Sequence, residues 1–256
     1  PKLFAEDLTP EYVTADEYLS GNVRQKLREA ESAARHDPSF AVNVQALQAA
    51  QPKDLDASEI DVRLGATWVD KQYIQQFMQE LFEIPFYQRR AVQVQYSQYT
   101  SEWRISGKTS LSYNNVANSM TYGTDRAPGL RILEDTLNLR DVRIYDTVED
   151  AEGKEKRVLN QKATTLAQQK QQAIKDAFRE WIWKDPQRRE ALVAQYNELF
   201  NSVRPREYDG RHITFSGMNP EIVLREHQRN AIAHTLYGGN TLLAHVVGAG
   251  KSATRS

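Results

Sequence analysis

The chain has 256 residues, 40% of them hydrophobic and 26% charged, and 33 Lys/Arg against 34 Asp/Glu leave a formal net charge of −1. That balance suits a globular protein of one or two domains, and it gives no whole-chain signature of a nucleic-acid binder. No apolar run approaches the roughly eighteen residues a membrane-spanning helix needs, and with no cysteine a disulfide framework, a thiolate metal site and a cysteine nucleophile are all excluded.

The N-terminus, Pro1-Lys2-Leu3-Phe4-Ala5-Glu6-Asp7, lacks the basic-then-apolar form of a secretory signal, so the expected setting is the cytoplasm, with no membrane partner. Residues 15–35 read as a polar amphipathic helix and 40–50 as a second, paired with it across the break at His36-Asp37-Pro38. Residues 52–59 form a polar connector. Trp68 then leads into Ile74, Phe77, Met78, Leu81 and Phe82, whose spacing is that of an amphipathic helix with a core-facing stripe, ended by Pro85.

From Ala91 the period changes to two: Val92, Val94 and Tyr96 alternate with polar residues, and Trp103 and Ile105 continue the pattern, predicting strands with one buried face. Val142–Tyr145 and Lys156–Leu159 are two further strand candidates around the acidic turn at 149–153, with Asn160 placed to cap the next helix. Residues 162–183 and the stretch from Asp185-Pro186 to about Phe200 predict an antiparallel helical pair. Charge is uneven: residues 1–70 hold 7 Lys/Arg against 13 Asp/Glu, whereas 154–190 hold 10 against 5. The basic stretch fits either phosphate contacts with DNA or an ordinary solvated helix face. Residues 201–219 read as loop around a short strand, His212–Phe215; a helix follows from Leu224 to Tyr237, then an apolar run, Thr241–Val247, of the kind a buried parallel strand shows.

That run leads directly into Gly248-Ala249-Gly250-Lys251-Ser252. A strand followed by such a loop and a helix start is what triphosphate binding requires, because glycines turn backbone N–H groups inward, lysine faces the outer phosphates and the serine hydroxyl ligates Mg²⁺. The first glycine of the full P-loop pattern is replaced by His245, and Ser106-Gly107-Lys108-Thr109 shows how little the tripeptide says alone, since a poor helix start follows it and it reads as a turn. Upstream, Leu224-Arg225-Glu226-His227-Gln228 places on a helix a glutamine whose amide can read an adenine edge with donor and acceptor. No Asn/Asp-Pro-Pro-Tyr/Phe methylase motif and no His-Glu-x-x-His zinc motif occurs.

Taken together, Leu224-Arg225-x-x-Gln228 followed by Leu243-Ala244-x-x-x-Gly248-x-Gly250-Lys251-Ser252 resembles the opening of the first motor lobe of superfamily 2 helicases, nearest the Swi/Snf-type DNA translocases, which also lack the first P-loop glycine. Leu64-Gly65-Ala66-Thr67-Trp68, Tyr208-Asp209-Gly210, Gly217-Met218-Asn219-Pro220 and the stretch from Gly239 to Lys251 resemble parts of the large helicase and adenine-methylase fusion proteins of phages and mobile elements. The resemblance implies an α+β accessory region with helical pairs and a small sheet over 1–205, then over 206–256 the first elements of an α/β RecA-like P-loop ATPase lobe. It implies ATP and Mg²⁺ as cofactors and DNA as partner. Gln228 would recognise adenine, Gly248, Ala249 and Gly250 would shape the loop, Lys251 would be the catalytic contact to the β and γ phosphates, and Ser252 would hold the metal. The chain reads as truncated at both ends, without the downstream Asp-Glu and arginine-finger elements, so ATP hydrolysis by this polypeptide alone is not expected. The competing readings are a non-enzymatic interaction module with a vestigial P-loop, and a P-loop kinase or GTPase, which the glutamine helix disfavours.

Overall fold

The computed structural model describes residues 13–111, 115–149, 155–216, 218–219, 221–238 and 240–244. The described residues form two compact units, one from the segments 1–54 and 197–256 and one from 55–196. The partition therefore runs differently from a division at 205/206. Among the described residues no helix is long and apolar enough to cross a membrane.

The first unit opens with α1 (Ala15–Tyr18), β1 (Gly21–Asn22) and α2 (Val23–Ala34), so the single helix expected over 15–35 is broken near its start. Gly21 causes the break: its φ of +72° is left-handed, and the chain leaves the helix to form a two-residue strand. Asn22 restarts the helix by accepting the Gln25 N–H on its side chain at 3.0 Å. After a 3₁₀ turn over Pro38–Phe40, α3 (Ala41–Ala49) packs on α2 around Val23, Ala30 and Leu47, all fully buried. Gln51 closes the pair by donating to Val23 O and Leu47 O. The predicted helical pair is present.

In the second unit, α4 (Lys71–Leu81) starts where the Asp70 carboxylate accepts the Gln72 N–H at 2.7 Å, and Ile74, Phe77 and Met78 point into the core as their spacing requires. The helix ends with Glu83 in the left-handed region at φ +48°, and a 3₁₀ turn over Phe86–Gln88 leads to the antiparallel hairpin of β2 (Gln93–Ser97) and β3 (Glu102–Ser106). Its register, Val94 opposite Ile105 and Tyr96 opposite Trp103, turns one face inward, and Gln75 braces it by accepting from Val94 N and donating to Val92 O. The Gly107-Lys108-Thr109 tripeptide forms a tight turn there, with Lys108 paired to Glu134 at 2.7 Å.

A π-helical turn over Ala117–Thr121 precedes α5 (Gly129–Leu137), whose Leu130, Ile132, Leu133 and Leu137 are buried. The hairpin expected from Val142 begins later, as β4 (Tyr145–Glu149) pairs with β5 (Glu155–Leu159). Val142 and Ile144 do turn inward, but their N–H groups are taken by Gln171 Oε1 and Thr164 Oγ1 and so do not enter a strand ladder. Those acceptors lie on α6 (Gln161–Lys184), capped by Asn160 through the Ala163 N–H. α7 (Pro186–Phe200) follows the Asp185-Pro186 break, and Arg188 fastens the turn by donating to Trp181 O and Ile182 O while lying 3.5 Å over the Trp181 ring. In the core Phe77 meets Phe178 edge to face and Trp181 at a tilt.

The chain then re-enters the first unit. β6 (Val203–Arg204) pairs antiparallel with β1, Arg24 donates to Asn201 O, and α8 (Glu226–Gly238) closes the described fold. The strand predicted over His212–Phe215 is a turn and irregular chain instead: Ile213 N bonds locally to Gly210 O, so no ladder starts. The described start of the predicted parallel strand, Thr241–Ala244, is also not a strand, and Leu242 is 89% exposed. A parallel strand needs paired neighbours and covered faces, and the sheets among the described residues are three separate antiparallel pairs. The architecture is α+β with small antiparallel sheets, and no described element forms the α/β lobe expected over 206–256.

Candidate nucleotide-site region

Of the predicted site residues, Gln228 is the one the structure describes. Gly248, Ala249, Gly250, Lys251 and Ser252 lie outside the described residues, as does His245. Gln228 sits in the first turn of α8, 7% exposed, and its side-chain oxygen accepts the Arg225 N–H at 2.8 Å. A helix leaves its first N–H groups without internal partners, and this bond satisfies one of them in the manner of a capping box. Ala231 and Ala233 on α8 are buried, as is Leu224 just before it.

Tyr208, Gly210 and His212 pack on the face of α8 that carries Asn230, His234 and Tyr237. Asn230 accepts the Gly210 N–H at 3.0 Å, and a Cβ at Gly210 would stand 2.1 Å from Arg229 O, so only glycine permits this approach. Tyr208 stacks on His234 with ring centroids 4.3 Å apart, and His212 stacks on Tyr237 at 5.8 Å while its Nε2 lies 3.1 Å from the Tyr237 hydroxyl. The guanidinium of Arg206 lies 5.0 Å over the Tyr208 ring and bonds Asp16 at 2.8 Å. Around these groups a cavity of about 280 Å³ is lined by Thr14, Asp16, Arg206, Tyr208, Asp209, His212 and Tyr237.

Burial alone would push the Asp16 carboxyl up, but hydrogen bonds from Thr14 and Arg206 and the charge of Arg206 outweigh it and hold the group below its ordinary value. Asp209 is also held low, chiefly by the Arg211 N–H. Both carboxylates are therefore charged at neutral pH. Arg206, pulled the other way by the same Asp16 bond, stays cationic. No group of three or more His, Asp or Glu able to hold a metal occurs among the described residues.

Residues 208–210 stood out in the sequence without a role, and the stacks they enter were not legible there. Tyr208 and His234 are 26 positions apart, and no local period couples them. Gln228 does not line the cavity, so the predicted base reader and the aromatic cluster occupy different sides of one helix.

A family model, Domain of unknown function (DUF8437), matches residues 63–202. That span covers most of the second unit and stops before α8. No curated protein and no solved structure matches the chain.

Proposed function

The chain belongs to the DUF8437 family, and from that premise we propose that it is part of an ATP-dependent DNA translocase of the superfamily 2 class, joining the family domain to the start of a motor lobe. The observation that carries the reading is the order of chemistry along the sequence: Gln228, then the apolar run 241–247, then Gly248-Ala249-Gly250-Lys251-Ser252. The placement of Gln228 supports it. Its side-chain oxygen caps its own helix by accepting the Arg225 N–H, which places the amide at the helix start in the order the motif requires.

In this reading Gln228 recognises adenine, the loop 248–250 gives backbone N–H groups to phosphate oxygens, Lys251 supplies the point charge and Ser252 ligates Mg²⁺. DNA is held mostly through its phosphates. In this reading hydrolysis drives movement along the DNA.

The test is a titration with a fluorescent ATP analogue in the presence of Mg²⁺. Binding that Lys251→Ala removes, with ATP preferred over GTP and the preference lost in Gln228→Ala, is the expected result. Equal affinity for GTP would remove the adenine role of Gln228, and binding indifferent to Lys251→Ala would overturn the P-loop assignment. One observation favours the second reading, a binding module with a vestigial P-loop: Thr241–Ala244 is not a strand and Leu242 is exposed. Absence of any nucleotide binding would decide for the module.

A further inference from the structure

A short stretch of the family domain combines features that the fold does not use. Directly after α4 and Pro85, the 3₁₀ turn Phe86–Gln88 leaves Phe86 84% and Tyr87 78% exposed, and Arg89 and Arg90, the next two residues, are exposed as well. Two large aromatic side chains side by side in solvent gain nothing from burial, although the same unit buries Phe77, Phe82 and Phe178 completely. Among the described residues neither guanidinium has a carboxylate partner; Arg89 Nε donates to Ile84 O at 3.1 Å, which fixes the base of its side chain.

The turn is held rigidly. Gln88 N–H bonds to Pro85 O, Arg89 N–H to Phe86 O, and Gln93 Nε2 donates to Arg89 O at 2.6 Å. It also carries an unmet demand, since the Gln88 side-chain oxygen is buried without a partner. Beyond it the outer face of the hairpin presents Gln95 opposite Arg104, extending the polar, cationic surface.

Aromatic faces beside unpaired arginines match one partner chemistry, planar rings joined by anionic linkers. We propose that the Phe86–Arg90 turn binds single-stranded nucleic acid, with unstacked bases lying on Phe86 and Tyr87 and the flanking phosphates on Arg89 and Arg90. A duplex offers phosphates but keeps its base faces stacked internally, so the surface selects single strands. The site needs no nucleotide cofactor and shares with the translocase reading only the class of partner.

The experiment is fluorescence anisotropy of a labelled twenty-residue oligothymidylate with the full chain, without ATP, repeated with oligouridylate and with a duplex of equal length. The expected result is salt-sensitive binding of single strands that falls roughly tenfold or more in the double variant Phe86→Ala/Tyr87→Ala, as loss of stacking predicts. The double variant Phe86→Trp/Tyr87→Trp should retain it. Arg89→Ala/Arg90→Ala should weaken it and flatten the slope of log affinity against log salt by about 1.4, two phosphate contacts on a single strand. Circular dichroism establishes that each variant is folded. No binding to either single strand, binding unchanged in Phe86→Ala/Tyr87→Ala, or equal affinity for duplex would each overturn the proposal. A parent chain that binds oligothymidylate but no ATP would refute the translocase reading alone, and one that binds ATP but neither single strand would refute this proposal alone.

Discussion

Gly65→Ala puts a single methyl group where the second unit has no room for one. Gly65 has φ +92°, and a Cβ built there stands 2.3 Å from Leu137 O and 3.0 Å from Leu137 C. The obstacle is main chain at the end of α5, with Leu137 itself 1% exposed, and Gly65 O accepts the Trp103 indole N–H at 3.3 Å. No side chain can swing away to relieve the clash. The left-handed backbone costs about 1–2 kcal/mol for a residue with a Cβ, and forcing extra volume into a packed site about 1–3 kcal/mol more. The loss should therefore be about 2–5 kcal/mol as the sum of those two terms. Gly21→Ala separates them. Gly21 has φ +72°, but the nearest atom to its built Cβ is Lys26 Nζ at 4.0 Å, so that variant should lose only the backbone part, about 1–2 kcal/mol. Urea unfolding followed by tryptophan fluorescence and circular dichroism gives both values. A Gly65→Ala protein within about 1 kcal/mol of the parent, below the backbone cost alone, would refute the reasoning. So would equal losses in the two variants.

Phe178→Ala removes a fully buried ring packed 5.1 Å from Phe77, and the cavity should cost about 3–5 kcal/mol in the same assay. Asp135→Asn should stabilise the protein at neutral pH: burial raises the Asp135 carboxyl above its ordinary value, so charging it penalises the folded state. The sign requires that stabilisation to accrue as pH rises from the unfolded pKa through the raised folded one, and the variant and parent curves should converge as pH falls to the ordinary aspartate range. A fragment of residues 55–196, expressed alone, should give a cooperative unfolding transition and a helical circular dichroism spectrum, because its core of Ile74, Phe77, Met78, Leu133, Ile174 and Phe178 is drawn from within it. A non-cooperative, urea-insensitive signal would contradict that.

Elements whose reasons are local are legible along the chain. The spacing of Ile74, Phe77 and Met78 specifies α4, the alternation Val92, Val94 against Trp103, Ile105 specifies the β2–β3 hairpin, and Asp185-Pro186 separates α6 from α7. Periodicity and breakers act within a few residues, so they are visible in the chain alone. The order of Gln228 and Gly248–Ser252, on which the proposed function rests, is likewise read along the chain, and the loop lies outside the described residues. Where distant groups meet depends on packing between elements far apart in the chain. Val142 and Ile144 have the alternation of a strand, yet Gln171 and Thr164 on α6 take their backbone donors, and β4 starts three residues later than the pattern suggests. Thr241–Ala244 has the composition of a buried strand, but a strand exists only where another strand pairs with it, and the described chain offers none there. The Tyr208–His234 stack and the exposure of Phe86 and Tyr87 follow from the same limit: a sequence shows which side chains are apolar or aromatic, while the packing of elements far apart in the chain decides which are covered.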